Sequence, residues 1–548
     1  MAAIERRHRT FAAVLRFVKP RAASGSRIPT RAPSLLLVLL LTIQLLGCAA
    51  LGARRPGEPS TAYADTDDTR LARIAAASLS DAPSGFRLLP RGDFAFDARV
   101  ALARQAERSI DAQYCHLRPD ATGRALLRTL RDAAARGVRV RLLVDDFHSS
   151  PIDDLLLDLS AHDNVQVRLF NPLALRKGAP TARLLLSPGD FELHNHRMHN
   201  KLWVADNALA VFGGRNLGDE YFMSHPEANF VDLDVLAAGA VVRQLSAAFD
   251  DYWNSELAWP VQDVLGASAA AGVARARFAA AVGDAAPAPP SDTEDPLGQS
   301  TVSAQLATGH VALIAGSAQV HADAPEKARD PGPTMGRPGA AMQGVLDAMA
   351  GARREVGIMS PYFVPGPVGM RAMSAGVQQG VRITLFTNSL ASSDEPLVHH
   401  RYAGYRVALL RLGVQIYEFS PQLIQRSRGF GFKAPSSARL HAKVAVVDDR
   451  LLVVGSVNLD PRSAIANTET SVVIDSPPLV TELLRLNESK AQHAMMYRLR
   501  LQPDGRTIEW LGRDEQGQVV ATTDEPGSSP WLQLKLWLQS LLVDERLL

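Results

Sequence analysis

Apolar and polar positions follow two periods along this chain, and their succession occurs twice. Phe86–Pro90 reads as a strand, Asp97–Arg108 as a helix, and a further strand ends at Gln113-Tyr114. Leu127, Leu130 and Ala134 recur at i, i+3 and i+7, a single helix face. Gly137 then suits the position that ends a helix, and Val138–Val144 (VRVRLLV) starts as an alternating strand. The order returns with strand Val311–Ile314, helix Ala341–Arg354 and a strand ending in Ser360-Pro361-Tyr362. Met370, Met373 and Val377 repeat the helical spacing before Gly380 and the strand Val381–Thr387, and Leu409–Phe419 has the same form around Gly413. Strands alternating with helices predict an α/β layered fold with helices on the sheet faces.

Other stretches break the pattern. Arg55–Gly85 is polar and rich in small residues, and reads as a tether. Gly266–Ala307, with AAPAPPSDTEDP, reads as a poorly ordered connector, and Pro325–Gly339 as a surface loop. Met496–Thr523 carries turn signals at Pro503-Asp504-Gly505 and Glu515-Gln516-Gly517 between strand-like runs, which predicts a small β meander. A helix follows from Pro530, with Trp531, Leu534, Leu538, Leu541 and Leu542 on one face and Trp537 beside them. That face suits docking on the core and contact with a membrane equally.

Composition is that of a globular protein, 46% hydrophobic and 21% charged, and the formal net charge is +2. The charge is uneven. Residues 1–33 hold eight Lys/Arg against Glu5, which leaves 51 basic and 56 acidic residues beyond them. That balance argues against a dedicated nucleic-acid binder, which shows a basic footprint. The basic stretch leads into an uncharged run, Ser34–Leu46 (SLLLVLLLTIQLL), too short for a comfortable span of about 20 residues. A basic segment, a short apolar run and a small residue form a secretory signal. Leu45-Leu46-Gly47-Cys48 resembles a bacterial lipobox, with Cys48 as the lipidated residue. With Cys48 lipidated, Cys115 has no partner for an intrachain disulfide.

The chemistry lies in a motif that occurs twice. Met198–Asp206 reads MHNKLWVAD, followed by GGRN at Gly213–Asn216. Leu440–Asp448 reads LHAKVAVVD, followed by GSVN at Gly455–Asn458. Met198–Ala205 and Ala442–Val447 look like strands, on which side chains two apart share a face. His199 would then project with Lys201, and His441 with Lys443. A neutral imidazole can attack phosphorus while an ammonium holds the phosphoryl oxygens, and the closing Asn donates further hydrogen bonds. Two such half-sites supply a nucleophile and a general acid around one phosphodiester. Phosphoryl transfer requires mainly positioning and electrostatic stabilisation, so the expected site has no metal and no cofactor. His194, His196, His399 and His400 fit no metal spacing and read as surface or entry-loop residues.

HxKxxxxD followed by GGxN or GSxN, present twice, resembles the signature of the phospholipase D superfamily. Val138–Asp146, Gly213–Phe222, Ser360–Pro365 (SPYFVP), Thr387–Asp394 (TNSLASSD) and Asn458–Ser463 (NLDPRS) are similar to the bacterial cardiolipin synthase C branch. The resemblance runs from about Phe86 to the C-terminus, excepting the Ala/Pro connector. It implies two α/β/α sandwiches related by a pseudo-twofold axis and sharing one site, with a small C-terminal β meander and helix. The expected organisation is a lipoprotein signal peptide at 1–47, a tether at 48–85 and a first phospholipase D-like domain at 86–265. A connector at 266–307, a second such domain at 308–495 and the meander and amphipathic helix at 496–548 complete it.

The resemblance also implies a covalent phosphohistidine. The catalytic candidates are His199, Lys201, Asp206, His441, Lys443 and Asp448, with the two aspartates holding the motif's architecture. One histidine attacks and the other protonates the leaving alcohol; His199 is favoured as nucleophile. Asn216, Asn458 and Ser456 are candidate phosphate ligands, and Gly214 stands where the second copy has Ser456. Asp232 and Glu469, in VDLDV and NTETSVV, are candidates to orient a histidine ring.

The expected reaction is phosphatidyl transfer that makes cardiolipin from phosphatidylglycerol and a second phospholipid, with phosphatidylethanolamine a candidate donor. The rival readings are a phospholipase D releasing phosphatidic acid and, on the same scaffold, an exported nuclease. The expected location is the bacterial cell envelope, lipid-anchored, periplasm-facing and at a membrane surface, with inner and outer membrane both open.

Overall fold

One sheet of 18 strands carries the described residues, and its order is a single succession written twice. The computed structural model describes residues 51, 54–55, 57–174, 176, 195–285, 290–329, 338–420, 437–487, 495–513, 518–541, 543 and 545. From one edge to the centre the strands are Ala258–Pro260, Val165–Phe170, Arg139–Asp145, Ser109–Tyr114, Leu202–Ala205, Leu209–Gly213, Asp234–Gly239 and Ser84–Leu89. From the centre outward they are Ile314–Ala322, Thr470–Asp475, Leu451–Gly455, Val444–Val447, Glu355–Met359, Arg382–Asn388, Gln415–Phe419 and Met496–Leu501. The two series match strand for strand when read outward from the centre. They meet where Ser84–Phe86 pairs antiparallel with Ile314–Gly316. An antiparallel pair is the junction that a twofold axis normal to a sheet generates.

Side-chain alternation explains why both faces of this sheet are covered. Leu202 and Val204 enter a core shared by the two halves, whereas Trp203 and Ala205 enter an outer core under Gly92–Gln105 and Ala121–Ala135. In the second half Val444 and Val446 join the shared core, and Ala445 packs outward against Ala341, Met342 and Val345 of helix Ala340–Ala350. Helices Ala240–Asn254 and Pro477–Asn487 lie between, contributing Phe249, Trp253, Leu479 and Val480 to the shared core. A period-2 strand with both sides apolar is what burial on two faces requires.

The glycines that punctuate the helix–strand units behave as read. Gly137, Gly380 and Gly413 have φ of +95°, +88° and +92°, a region that disfavours any residue with a Cβ. The meander also forms: Ile508–Arg513 and Val519–Thr522 continue the sheet antiparallel from Met496–Leu501. Its second turn, 515–517, lies outside the described residues. The closing helix runs Pro530–Ser540, capped by the Ser529 hydroxyl.

Several expectations need correcting. The second half opens on Ile314–Ala322, which starts where the expected strand ended, because its pairing partners are Ser84–Phe86 and Thr470–Asp475. Part of the expected tether is a helix, Arg70–Ser78, with Thr69 accepting from the Ala72 amide as its N-cap. Its Leu71, Ile74 and Ala75 enter the outer core. Ser60 and Ala62 are bound to Asn254 and Asp250, so this stretch lies along the first half. The expected connector holds helices Ala271–Val282 and Val302–Ala307, whose Phe278, Val282, Val302 and Leu306 are buried in the same core. Alanine has the highest helix propensity, and that outweighed the Pro-rich centre of the segment. Cys48 and the apolar run Ser34–Leu46 lie outside the described residues.

Candidate active site

Both His-x-Lys triplets sit just ahead of strands, not within them. Leu202–Ala205 and Val444–Val447 begin one residue after Lys201 and Lys443. The reason is that each histidine's backbone is bound by the opposite half: the His199 amide donates to Thr468 O and the His441 amide to Val231 O, both at 2.8 Å. The residues ahead of them pair across the halves as well. Ser437–Leu440 runs parallel to Ala228–Val231, and Met198 bridges Thr468. Each triplet is thereby laid beside the residue that precedes the other half's carboxylate.

That crossing decides which carboxylate serves which imidazole. His199 Nδ1 lies 2.9 Å from Glu469 Oε2 and 3.2 Å from Ser456 O. His441 Nδ1 lies 2.6 Å from Asp232 Oδ2. Each ring therefore meets a carboxylate 270 or 209 residues away, from the other half. With acceptors at Nδ1, the proton belongs there, and Nε2 carries the lone pair.

Burial lowers the pKa of His199 to about 4, against the pull of Glu469, with Lys201 and Lys443 adding to the depression. His441 is also lowered, by burial and by Lys443, against Asp232. The lysine of one half acting on the histidine of the other shows a single electrostatic site. Burial alone would raise the two carboxylates, yet the facing histidines and nearby lysines bring Asp232 to about 2 and lower Glu469. Both carboxylates are ionised near neutrality, His199 is neutral, and the proton that His441 can carry on Nε2 is held there by Asp232.

Lys201 and Lys443 are buried, and each Nζ donates to the carbonyl of its own histidine at 2.6 Å. That bond fixes each ammonium beside its imidazole and leaves two N–H groups to offer. Burial depresses both, bringing Lys443 to about 8. Asn216 receives the His116 amide on Oδ1 and donates to the Tyr221 hydroxyl. Asn458 is buried beside Ser463, and its Oδ1 has no partner among the described residues.

Ser456, expected as a phosphate ligand, has another role, while Asp206 and Asp448 hold the motif's architecture as expected. The Ser456 hydroxyl donates to Glu469 Oε2 at 2.5 Å, so its one proton steadies the carboxylate and is not offered to a phosphate. In the first half a Cβ on Gly214 would come within 2.1 Å of Asp232 Oδ1. A serine there has no room, because Asp232 fills the space that Ser456 occupies opposite Glu469. Asp206 and Asp448 close the far ends of the motif strands and meet neither histidine. Asp206 accepts the amides of Glu107, Arg108 and Ser109, and Asp448 those of Arg353, Arg354 and Glu355. Both sit at positive φ, at the head of the hairpin turn.

Further residues belong to the frame. Asp145, wholly buried, accepts the Met198 amide and pairs with the buried Arg197 at 2.8 Å. Asn388 takes the equivalent place, exchanging two hydrogen bonds with the backbone of Leu440. Their signal was present: each closes the strand after a helix–glycine unit, in the segments VRVRLLVDD and TNSLASSD. Tyr221 and Phe230 pack on the His441 ring, with centroids at 5.3 and 4.9 Å. Of the histidines read as surface residues, His196 and His399 are buried, the latter against Glu525 and Arg406. His194 lies outside the described residues. Among the described residues no group of three or more His, Cys, Asp or Glu side chains is placed to hold a metal ion.

The family profile described as "Cardiolipin synthase, PLD-like domain" matches residues 100–253 and 345–489. Cardiolipin synthase C of Escherichia coli is 36% identical over 464 residues, 83% of this chain and 94% of that protein. Cardiolipin synthase A of Pseudomonas fluorescens is 26% identical, over 74% of this chain and 67% of that protein. Among solved structures, the phosphatidylserine synthase of Haemophilus influenzae superposes with a TM-score of 0.53 at 12% identity, covering 86% of this chain and 98% of that one. This last likeness is one of fold.

Proposed function

The chain belongs to the cardiolipin synthase family of the phospholipase D superfamily, a family of phosphatidyltransferases, and from that premise we propose that it makes cardiolipin from phosphatidylglycerol and a second phospholipid. The observation that carries the reading is the crossed pair of imidazoles, each with a free Nε2 and a carboxylate from the opposite half.

His199 Nε2 attacks the phosphorus of the donor lipid. A P–N bond forms, the bond from phosphorus to the headgroup oxygen breaks, and the departing alkoxide takes the Nε2 proton of His441, which enters this step as the imidazolium that Asp232 stabilises. Asp232, ionised down to about pH 2, steadies the His441 imidazolium that holds that proton. Glu469 does the same for the charge that builds on His199. Lys201, Lys443, Asn216 and Asn458 hold the phosphoryl oxygens, where fixed donors are most effective as charge develops. In the second step His441, now neutral, takes the proton of a phosphatidylglycerol hydroxyl. The new P–O bond forms as the P–N bond breaks. Two differences favour His199 as nucleophile: its pKa lies at about 4, and His441 has the shorter bond to its carboxylate.

Two points of location belong to the same proposal. The protein is lipidated at Cys48 and faces the periplasm from a membrane of the bacterial envelope, on the strength of the lipobox-like LLGC and the basic and apolar residues before it. Phosphatidylethanolamine and phosphatidylglycerol are the two lipids offered as donor. Incubating the purified wild type beside His199→Ala with vesicles of both lipids tests the reaction. Histidine-dependent cardiolipin supports it; histidine-dependent phosphatidic acid without cardiolipin makes the protein a phospholipase and overturns it.

A further inference from the structure

Ten large hydrophobic side chains are exposed among the described residues, and five of them lie on the closing helix and its C-cap: Trp531 (74% exposed), Leu534 (46%), Trp537 (51%), Leu538 (50%) and the capping Leu541 (64%). At about 100° per residue they fall within an arc of about 120°, a continuous stripe. Scattered exposed apolar residues need no explanation, but a contiguous patch marks a contact surface. The helix is fixed to the body, so the stripe has a defined direction. Leu536 is buried beneath it, Arg401 donates to Ser540 O at 2.6 Å and Val543 O at 2.9 Å, and Gln533 donates to Glu525. A helix apolar on both sides is one whose second side meets another apolar phase.

We propose that this stripe docks the enzyme on a phospholipid bilayer, with Trp531 and Trp537 seated among headgroups and upper acyl chains. The proposal rests on the lipid-substrate reading above and adds to it the element that meets the membrane. Three observations favour a bilayer over a second copy of the chain. The patch, on the order of 500 Å², falls short of the roughly 800 Å² per partner that a stable protein interface buries. The helix carries no acidic residue, and its one charge, the exposed Lys535, suits an anionic lipid surface. Tryptophan, with an apolar body and a polar N–H, is the residue of membrane interfaces. The position fits as well. The helix packs on Pro396–Ala403, which starts two residues after Asp394. Asp394 accepts the Tyr362 hydroxyl, and its charge acts on Lys443 and on Tyr221, which covers His441. Docking there brings the bilayer beside the wall of the site.

The test is quenching of tryptophan fluorescence in the full chain by phosphatidylglycerol vesicles containing acyl-brominated lipid. Trp203, Trp253 and Trp510 are buried and Trp259 is half-buried; these four form a background common to the wild type and the variant. The wild type should lose fluorescence on brominated vesicles, and the Trp531→Phe/Trp537→Phe variant should lose most of that response. An unquenched wild type, or an equal response in the variant, overturns the proposal, as does a wild type in which the stripe is covered by a second chain. A second variant, Leu534→Glu/Leu538→Glu, should lower the ratio of turnover on vesicles to turnover on dispersed short-chain phospholipid at least tenfold. An unchanged ratio overturns the proposal. Quenching without any lipid turnover would retain the docking surface and refute the proposed reaction, so the two failures are distinguishable.

Discussion

At His199 the deciding variable is whether Nε2 holds its lone pair, and at Lys443 whether Nζ holds its charge. His199 becomes protonated as pH falls to about 4, which removes the nucleophile. Lys443 loses its proton as pH rises through about 8, which removes a cation from the phosphate site. The pH profile of kcat/KM, which reports groups of the free enzyme, should therefore fall on an acid limb near 4, decline on the alkaline side as His441 loses the proton it donates, and steepen near 8 as Lys443 loses its charge. Lys443→Arg, which stays charged, should lose the steepening near 8; a steepening that survives that change contradicts the assignment. Gly214 supplies a sharper prediction. Making the first motif copy resemble the second, by Gly214→Ser, drives a side chain into Asp232, 2.1 Å from where the Cβ would lie. A displacement of about 1 Å in a catalytic group costs on the order of 100-fold, and the turnover of Gly214→Ser beside wild type measures it. The matched positions of His, Lys, Asp, Gly and Asn were legible in the chain because they are local. That Ser456 buttresses Glu469, while Gly214 makes way for Asp232, depends on side chains that meet only after folding.

At the scale of elements, the motif is a hairpin clamped at both ends. At the near end Asp145 holds the Met198 amide and Arg197, and at the far end Asp206 collects three amides of the turn before Ser109–Tyr114. Asp145→Asn leaves Arg197 buried with its charge uncompensated, a change expected to destabilise by about 3–5 kcal/mol. Asp206→Ala orphans three amides and is expected to cost about 1–3 kcal/mol. Urea denaturation of both variants checks the order. Activity per folded Asp206→Ala molecule should stay near wild type, since Asp206 meets neither histidine; a collapse in that specific activity would return it to the chemistry. Helix–glycine–strand units were legible because their signals are periodic and their glycines need positive φ. The helices Arg70–Ser78 and Ala271–Val282 were not, since Ala, Ser and Asp-rich stretches share the composition of linkers. Only contacts of Leu71, Ile74, Phe278 and Val282 with distant strands make them part of the core.

For the molecule as a whole, the consequential fact is that neither half contains a working histidine. Glu469 serves His199 and Asp232 serves His441, and the sheet that joins the halves at Ser84–Phe86 and Ile314–Gly316 fixes their crossing. The repeat in the sequence announced two halves and one site. It was silent on the exchange of carboxylates, because pairings 209 and 270 residues apart leave no local trace. Since each chain carries a complete pair of halves in one sheet, mixing His199→Ala with His441→Ala protein should restore no activity. Recovery in the mixture would mean that halves of different chains combine. The central claim, a phosphatidyl group carried on one histidine while the other moves the proton, is tested most directly by trapping that adduct. The wild type should be mixed with phospholipid, quenched in alkali within one turnover, digested and mapped by mass spectrometry. The account predicts a phosphatidyl group on His199 and on no other residue. An adduct on another side chain, or turnover with no protein-bound phosphorus at any time, would contradict it.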